Sequence, residues 1–278
     1  MKRFFTLTLI LSIFLTACGG ASSSTPVSVP VTQAPTSAPQ ARTLTVFAAA
    51  SLAEAFTEIG HNFESTHPGT AVKFNFAGSQ TLRTQLEQGA VADIFASANQ
   101  IEMDTAVKDG LIAAKNTPQI FLNNKLVVVL PSKNPANVQT LNDLAKPGLK
   151  LVLAADVVPA GKYARQILDN MSKDSSFGND FKTKVLANVV SNENDVKQVL
   201  AKIQLGEADA GIVYVSDAIA TPELETIEIP DNFNVIAKYP IAALAKAPNS
   251  DLAAQFIAYV LSPEGQAVLK KWGFAPAQ

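Results

Sequence analysis

Residues 43–56 read TLTVFAAASLAEAF, and this stretch holds the pattern on which the rest of the chain depends. A β-branched and apolar run ends at three alanines, and after Ser51 the apolar residues recur with helical spacing. The pattern predicts a buried strand over 44–50 and a helix over 52–65, joined by a sharp turn of small residues. Ser51 falls at the N-cap position, beside unpaired N–H groups at the positive end of the helix dipole. Two interpretations stay open: Ser51 only caps its own helix, or the turn binds an anion.

Strands and helices alternate through the remainder of the chain, which is typical of α/β sheets covered by helices on both faces. The predicted strands after the first lie at 72–77, 93–98, 126–130, 149–154, 189–190, 210–215 and 235–244. The predicted helices after the first lie at 81–88, 101–108, 141–145, 162–171, 181–186, 196–205, 252–261 and 264–272. Two such series indicate two lobes. We expect a ligand cleft between them, because ligands of open α/β sheets bind beyond the carboxyl ends of strands.

The N-terminal segment 1–17 has the features of an export signal. Two basic residues precede an apolar run that is too short to span a bilayer comfortably. Small residues then precede Cys18, the only cysteine of the chain, in a pattern that resembles the lipobox of bacterial lipoproteins. We therefore predict that Cys18 is lipidated. The Ser/Thr/Pro-rich stretch that continues to residue 42 is predicted to be a disordered linker.

The charge balance excludes one class of partner. The chain has 22 basic and 24 acidic residues, for a net charge of −2, and removal of the signal takes away Lys2 and Arg3 and leaves −4. A mildly acidic chain without a basic run argues against nucleic acid as a ligand. Any bound anion must therefore be captured by local geometry, because the overall field does not attract it.

Further strand-to-helix junctions offer hydrogen-bond donors. Gly78 permits a close backbone approach, and Ser79 offers a hydroxyl and a helix-start N–H together. The next two junctions offer backbone N–H groups, those of Ala160 and Val196, and the strand at 210–215 carries Tyr214 near its end. Each feature alone is ordinary for the start of a helix. Together they supply donors from both halves of the chain, which suits a compact dianion held by neutral dipoles.

The segments VFAAASL, FAGSQTL, ADIFASA, VPAGKYA, NDVK, GIVYVSDA and SPEGQAVLKKWGF occur in this order. The ordered set resembles the periplasmic molybdate-binding protein of ABC importers over residues 43–274. The resemblance implies a type II periplasmic-binding-protein fold, in which each of two lobes is a mixed β-sheet flanked by helices and the ligand lies in the interlobe cleft. It implies a discontinuous lobe 1 (43–123 and 239–278) and a lobe 2 (124–238), with crossings near 123–125 and 238–240.

The same resemblance implies how an oxyanion is held. Two hydroxyls from lobe 1 and two backbone amides and a phenol from lobe 2 carry over to this chain as Ser51, Ser79, Ala160, Val196 and Tyr214. Molybdenum is then present only within the bound oxyanion, and no cofactor is expected. In one departure from the family pattern, Gln80 stands where relatives often carry a serine, and it either adds a donor or narrows the pocket.

The function implied by the resemblance is transport rather than catalysis. The protein would capture molybdate, and also tungstate, and deliver it to an ABC permease in the cytoplasmic membrane. No acceptor carboxylate is called for, since Asp195 is predicted to cap a helix and point away, so a fully deprotonated oxyanion is preferred. We expect an exported monomer, anchored by lipid at Cys18 to the outer face of the cytoplasmic membrane or held in the periplasm.

Other functions are weighed against this one. A hydrolase is disfavoured because His61 and His67 lie within or just after the first long helix, away from every junction, and no GxSxG motif occurs. Lys125 and Lys162 are the cations nearest the expected cleft, and solvated surface is the favoured interpretation of both. Two ligands stay open on the same fold: sulfate, a smaller oxyanion, and ferric ion, which a related fold binds through tyrosines.

Overall fold

Two β-sheets flanked by helices organise the structure, a computed structural model that describes residues 41–277. Its strands are β1 (Arg42–Ala49), β2 (Thr70–Ala77), β3 (Ile94–Ala96), β4 (Gln119–Asn124), β5 (Leu126–Leu130), β6 (Leu151–Ala154), β7 (Val189–Glu193), β8 (Ala210–Tyr214), β9 (Glu225–Glu228), β10 (Ala237–Ala243) and β11 (Ala275–Pro276). Its α-helices are α1 (Ala53–Thr66), α2 (Ser79–Glu87), α3 (Gln100–Lys108), α4 (Pro159–Ser172), α5 (Phe181–Ala187), α6 (Val196–Gln204), α7 (Val215–Ile219), α8 (Ser250–Leu261) and α9 (Pro263–Lys271). Short 3-10 helices occupy Ala50–Leu52 and Leu141–Ala145.

The first sheet has six strands in the order β11-β4-β10-β3-β1-β2. Strand β1 is parallel to both of its neighbours, whereas β10 is antiparallel to β3 and β4. Val46, Phe47, Ala48 and Ala49 of β1 are all buried, and because consecutive side chains point to opposite faces, both faces of this central strand are covered. The β-branched and apolar run at the start of the quoted stretch therefore forms a central strand of the sheet.

The second sheet has five strands in the order β7-β6-β8-β5-β9. Strand β6 is parallel to β7 and β8, and β5 is antiparallel to β8 and β9. Both sheets are thus mixed, and helices pack against them. This architecture confirms the predicted fold class.

The chain passes from the first sheet to the second at Lys125, between β4 and β5, and it returns between Glu228 and Ala237. The two crossings lie side by side, since Ala237 pairs with Asn124 across β10 and β4. The returning strand thus begins two residues before the predicted lobe boundary at 239. The assignment of 43–123 and 239–278 to one lobe and of 124–238 to the other stays a prediction.

Several elements differ from those predicted. Strands β4, β9 and β11 and the one-turn helix α7 were not anticipated, and the strand predicted over 235–244 is shorter. Pro240 lies within that strand, where the register shifts between Tyr239 and Pro240, because proline has no N–H to donate to a neighbouring strand. Helix α9 begins at Pro263, one residue before the predicted 264, with Ser262 Oγ accepting a hydrogen bond from the Gly265 N–H at 3.3 Å and Pro263 in the first turn.

The predicted export signal, the lipidated Cys18 and most of the linker fall on residues 1–40, which lie outside the described residues. The predicted linker extends to residue 42, but Arg42 is the first residue of β1, and its guanidinium Nη2 lies 2.6 Å from Oδ1 of Asp251. Within residues 41–277, no helix combines the length and the apolar character that crossing a membrane requires.

Candidate anion-binding site

All of the predicted ligand-binding residues line one pocket, which lies between the ends of strands from both sheets. They are Ser51, Ser79, Ala160, Val196 and Tyr214. The cavity volume is about 10 Å³. Space of that order corresponds to about one water molecule, so this arrangement has no room for an organic solute of several carbons.

Parallel pairing explains why the junctions meet. Strands β1 and β2 run parallel with Ala49 opposite Ala77, so the turns that follow them lie next to each other. In the second sheet β6 and β7 run parallel with Ala154 opposite Glu193, which places the starts of α4 and α6 side by side. Carboxyl ends of neighbouring parallel strands share an edge of the sheet, and the donors gather there.

Ser51 lies inside the short 3-10 helix that separates β1 from α1, and its side chain caps neither helix. The predicted N-cap role is therefore wrong, because the 3-10 turn moves the start of α1 to Ala53. The side chain is buried, and Oγ instead lies 2.8 Å from the hydroxyl oxygen of Tyr239. The Ser51 hydroxyl therefore caps no backbone N–H group, and it lies at the edge of the cavity.

Ser79 is the first residue of α2, which begins two residues earlier than predicted. Its Oγ accepts a hydrogen bond from the N–H of Ala98 at 3.0 Å, and the side chain is 1% exposed. Because the oxygen already accepts, its hydrogen remains available for a ligand. Gly78 precedes it, and a Cβ there would stand 2.5 Å from the carbonyl oxygen of Asn194. The close approach predicted at this glycine is therefore a contact with the opposite half of the chain.

Ala160 and Val196 contribute backbone N–H groups from the first turns of α4 and α6. First-turn N–H groups have no acceptor within their own helix, and the helix dipole adds positive potential there. Helix α4 begins at Pro159 rather than at Lys162 as predicted, because proline is well suited to the first helical position. Both buried residues therefore present donors to the cavity.

Tyr214 ends β8, and its side chain is 2% exposed. Its hydroxyl oxygen is buried and has no hydrogen-bond partner among the described residues. Burial raises the pKa of the Tyr214 phenol well above its ordinary value, so the group keeps its hydrogen at neutral pH. Buried polar groups are nearly always paired in native proteins, so an unpaired donor at a pocket points to a ligand acceptor.

The cavity carries no formal positive charge: among the described residues that line it, none is Lys, Arg or His. Asp195 lies at the pocket, but both of its carboxylate oxygens accept hydrogen bonds from Gln198, from N–H at 3.0 Å and from Nε2 at 2.8 Å. Lys125 pairs with Asp231 at 2.6 Å, and Lys162 is exposed. The site therefore offers neutral donors and helix dipoles to an anion.

Contacts between the two halves of the chain surround the pocket, and sequence reasoning missed them. Gln80 Nε2 donates to the carbonyl oxygen of Asn194 at 3.0 Å and does not line the cavity. Neither predicted role of Gln80, an extra donor or a narrower pocket, describes this contact. Lys197 Nζ lies 2.8 Å from both carboxylate oxygens of Glu54.

Lys197 also lies 3.2 Å from Oδ1 of Asp217, a completely buried carboxylate whose Oδ2 accepts from the Tyr214 N–H at 3.2 Å. Desolvation raises the pKa of Asp217 to about 6, although the charge of Lys197 acts in the opposite direction. The carboxylates nearby raise the pKa of Lys197 in spite of its burial. Sequence reasoning does not find this cluster, because Glu54 and Lys197 are 143 residues apart along the chain.

The residues of the disfavoured alternatives lie elsewhere. His61 pairs with Glu64 on the exposed side of α1, and the ring of His67 stacks on Phe63 with centroids 3.8 Å apart. Within residues 41–277, no group of three or more His, Cys, Asp and Glu side chains is arranged to hold a metal ion.

The fold places a small pocket lined by neutral hydrogen-bond donors between two mixed sheets, an architecture typical of solute-binding proteins. A family profile described as "Bacterial extracellular solute-binding protein" matches residues 44–275. The chain is 42% identical over 262 residues to the molybdate-binding protein ModA of Mycobacterium tuberculosis, across 94% of this chain and 92% of that protein. It is 34% identical over 238 residues to the molybdate-binding protein ModA of Escherichia coli, across 83% of this chain and 88% of that protein.

Among solved structures, the periplasmic molybdate-binding protein of Azotobacter vinelandii is similar with a TM-score of 0.73 at 20% identity, covering 84% of this chain and 100% of that one. This likeness supports the fold. The chain belongs to the family of bacterial extracellular solute-binding proteins. The family serves transport rather than catalysis and acts outside the cytoplasm, which confirms the predictions of a non-enzymatic and exported protein.

Proposed function

We propose that this protein captures molybdate, and also tungstate, and delivers it to an ABC permease. The observation that carries the proposal is the convergence on one small cavity of two serine hydroxyls, two first-turn amides and the unpaired hydroxyl of Tyr214. Relatives that are named molybdate-binding proteins share 42% and 34% of their aligned residues with this chain. The proposed ligand set is Ser51, Ser79, Ala160, Val196 and Tyr214.

The physical basis of capture is hydrogen bonding to a charged ligand in a site that excludes water. Each hydrogen bond to a charged group contributes roughly 1.5–3 kcal/mol. The first turns of α4 and α6 oppose the charge of a dianion without any cation. No cofactor is needed in this mechanism, and molybdenum enters only within the bound oxyanion.

The donor pattern favours a fully deprotonated oxyanion. A hydrogen phosphate ion needs an acceptor for its proton, whereas the proposed ligand set presents donors; Asp195, the one acidic residue among the described residues that line the pocket, already accepts from Gln198. The O–H of a hydrogen phosphate ion would therefore face an N–H or O–H donor of the protein, which is unfavourable. Molybdate, tungstate and sulfate carry no proton at neutral pH, and size distinguishes the first two from the third.

A ferric-ion site is the alternative from another ligand class. Tyr214 and Tyr239 do lie together, with ring centroids 5.8 Å apart. Iron binds the phenolate form, however, and burial raises the pKa of both phenols. The Tyr239 hydroxyl is also engaged with Ser51. These observations favour an oxyanion over a metal ion.

Calorimetric titration of the purified protein with molybdate, tungstate, sulfate, phosphate and ferric citrate tests the proposal. We expect near-stoichiometric binding of molybdate and tungstate, weaker binding of sulfate, and no heat with phosphate. Equal affinity for sulfate would leave an oxyanion binder without the proposed selectivity. Binding of ferric ion alone would overturn the oxyanion proposal.

We also propose a lipid anchor at Cys18, a flexible linker up to the folded part, and a monomer at the membrane surface or in the periplasm. The lipobox-like small residues before Cys18 and the extracellular family support this arrangement. In the native host, Cys18→Ser should release the protein from the membrane fraction. Retention of this variant in the membrane fraction would contradict the lipid anchor. Gel filtration of the purified protein should give the size of a monomer, and a larger size would contradict that part of the proposal.

A further inference from the structure

Tyr239 lies at the place where the two crossings meet, and the ligand set does not include it. It is in β10, two residues after the strand begins, and it pairs with Leu122 of β4. Its side chain is completely buried, and its ring packs edge-on against Phe121 and Phe274 with centroids 6.5 and 5.9 Å away. This packing fixes the direction in which the phenol points.

The phenol contacts two residues that line the pocket, Ser51 and Tyr214. Its hydroxyl oxygen lies 2.8 Å from Oγ of Ser51, and its ring meets that of Tyr214 at 69°. Burial raises the pKa of Tyr239 well above its ordinary value, so the phenol keeps its hydrogen. Either hydroxyl can be the donor in the pair with Ser51.

Resting on the proposed function, we propose that Tyr239 is a positioning residue: it donates its hydrogen to Ser51 Oγ and so directs the Ser51 hydrogen toward the bound oxyanion. A hydroxyl has a single hydrogen to donate. If Ser51 donated to Tyr239, the serine would turn a lone pair toward the anion, which is repulsive. The bound anion therefore selects the arrangement in which the phenol donates.

Ser79 offers a parallel within the same pocket. Its oxygen accepts from the N–H of Ala98, which leaves its hydrogen for the ligand. In both serines, Oγ thus accepts a hydrogen bond from a buried neighbour. The difference is that an amide can only donate, whereas the Tyr239–Ser51 pair can reverse. The direction of that pair is therefore set by the ligand, and the phenol is what makes Ser51 an effective donor.

A double-mutant cycle on molybdate binding tests this role. Tyr239→Phe should weaken binding by roughly tenfold, because a hydrogen bond that orients a donor to a charged ligand is lost. In the Ser51→Ala background the same change should have almost no further effect, since Tyr239 acts through Ser51. Tyr259→Phe is the control: Tyr259 is half-buried in α8 and does not line the pocket, so loss of its hydroxyl should leave the affinity unchanged.

The outcomes separate this inference from the function on which it rests. Absence of oxyanion binding by the unmodified protein would overturn both. Tight binding that Tyr239→Phe leaves unchanged, or weakens equally with and without the Ser51 hydroxyl, would overturn the positioning role and leave the proposed function intact. A merely structural role would give such equal weakening.

A second variant keeps the test decisive if Tyr239→Phe does not fold. Replacing Tyr239 with 3-fluorotyrosine makes the phenol a stronger donor and a weaker acceptor while retaining its shape. Molybdate binding should then tighten if Tyr239 donates to Ser51. Weaker or unchanged binding would contradict the proposed direction of the hydrogen bond.

Discussion

Replacing Ser79 by alanine is expected to reduce the affinity for molybdate by about ten- to a hundredfold. The hydroxyl is buried at the cavity, and its hydrogen is free because Oγ accepts from Ala98. A hydrogen bond to a charged ligand is worth roughly 1.5–3 kcal/mol, and each 1.4 kcal/mol corresponds to about a factor of ten in affinity. Isothermal titration of both proteins with molybdate at one ionic strength measures the ratio directly.

The same substitution has a second, ligand-independent effect. Ala98 loses the acceptor for its buried N–H, which costs about 1–3 kcal/mol of the free energy of unfolding. Thermal unfolding of the ligand-free protein should therefore begin at a lower temperature. Binding must be measured well below that transition, so that loss of affinity is not confused with loss of the fold.

Ser216→Ala is the matched control. Ser216 is also buried, and its Oγ accepts from Asn124 Nδ2 at 2.9 Å, but it does not line the cavity. The control should lose stability by a similar mechanism while its affinity changes by less than roughly threefold. If Ser79→Ala changes affinity no more than Ser216→Ala does, the assignment of Ser79 as a donor to the oxyanion is refuted.

Three further predictions concern contacts around the pocket. Gln80→Ala removes the hydrogen bond to the Asn194 carbonyl, so dissociation of molybdate in stopped-flow experiments should be about two- to tenfold faster; an unchanged rate would mean that this contact between the two halves of the chain does not retain the ligand. Lys197→Met leaves Asp217 buried without its cation and should lower the free energy of unfolding in urea by about 3 kcal/mol at pH 7.5; no loss would mean that the pair is dispensable. Asp217 has a pKa raised to about 6 in the folded protein, so the folded state binds its proton more tightly than the unfolded state, and stability falls as pH rises from about 4 to about 6. Asp217→Asn should remove that fall, by about 2–3 kcal/mol in urea unfolding, and equal pH slopes would contradict the shifted pKa.

The elements that the sequence predicts well are those with a local signal. The apolar run of β1, the small-residue turn after it and the glycine–serine turn before α2 are local patterns, and they locate Ser51 and Ser79 correctly at one pocket. Strand β4 was missed because QIFLNN ends in asparagines, which are poor strand formers. Its stability comes from β10 and β11 on either side, and these strands are distant in sequence.

The contacts that sequence reasoning missed join residues that are far apart along the chain. Ser51 and Tyr239 are separated by 188 residues, and Gln80 and Asn194 by 114. No periodicity or spacing reports a contact of this kind. Gln80 shows the limit most clearly, because its unusual identity was visible in the sequence, yet its partner is a backbone carbonyl, which has no sequence signature.

The contacts between the two halves of the chain and the unpaired donor of Tyr214 have opposite effects on the stability of the arrangement in which the halves meet at the pocket. In the arrangement that the structure shows, the buried Tyr214 hydroxyl has no acceptor among residues 41–277, which costs about 1–3 kcal/mol unless a ligand accepts from it. The Gln80–Asn194 hydrogen bond and the Lys197–Glu54 ion pair stabilise the same arrangement by amounts of similar size, since both are partly solvated. The protein contacts and the unpaired hydroxyl therefore act in opposite directions on this arrangement. An oxyanion that accepts from Tyr214 and the other donors lowers the free energy of the arrangement in which these donors meet, so it shifts the population toward that arrangement.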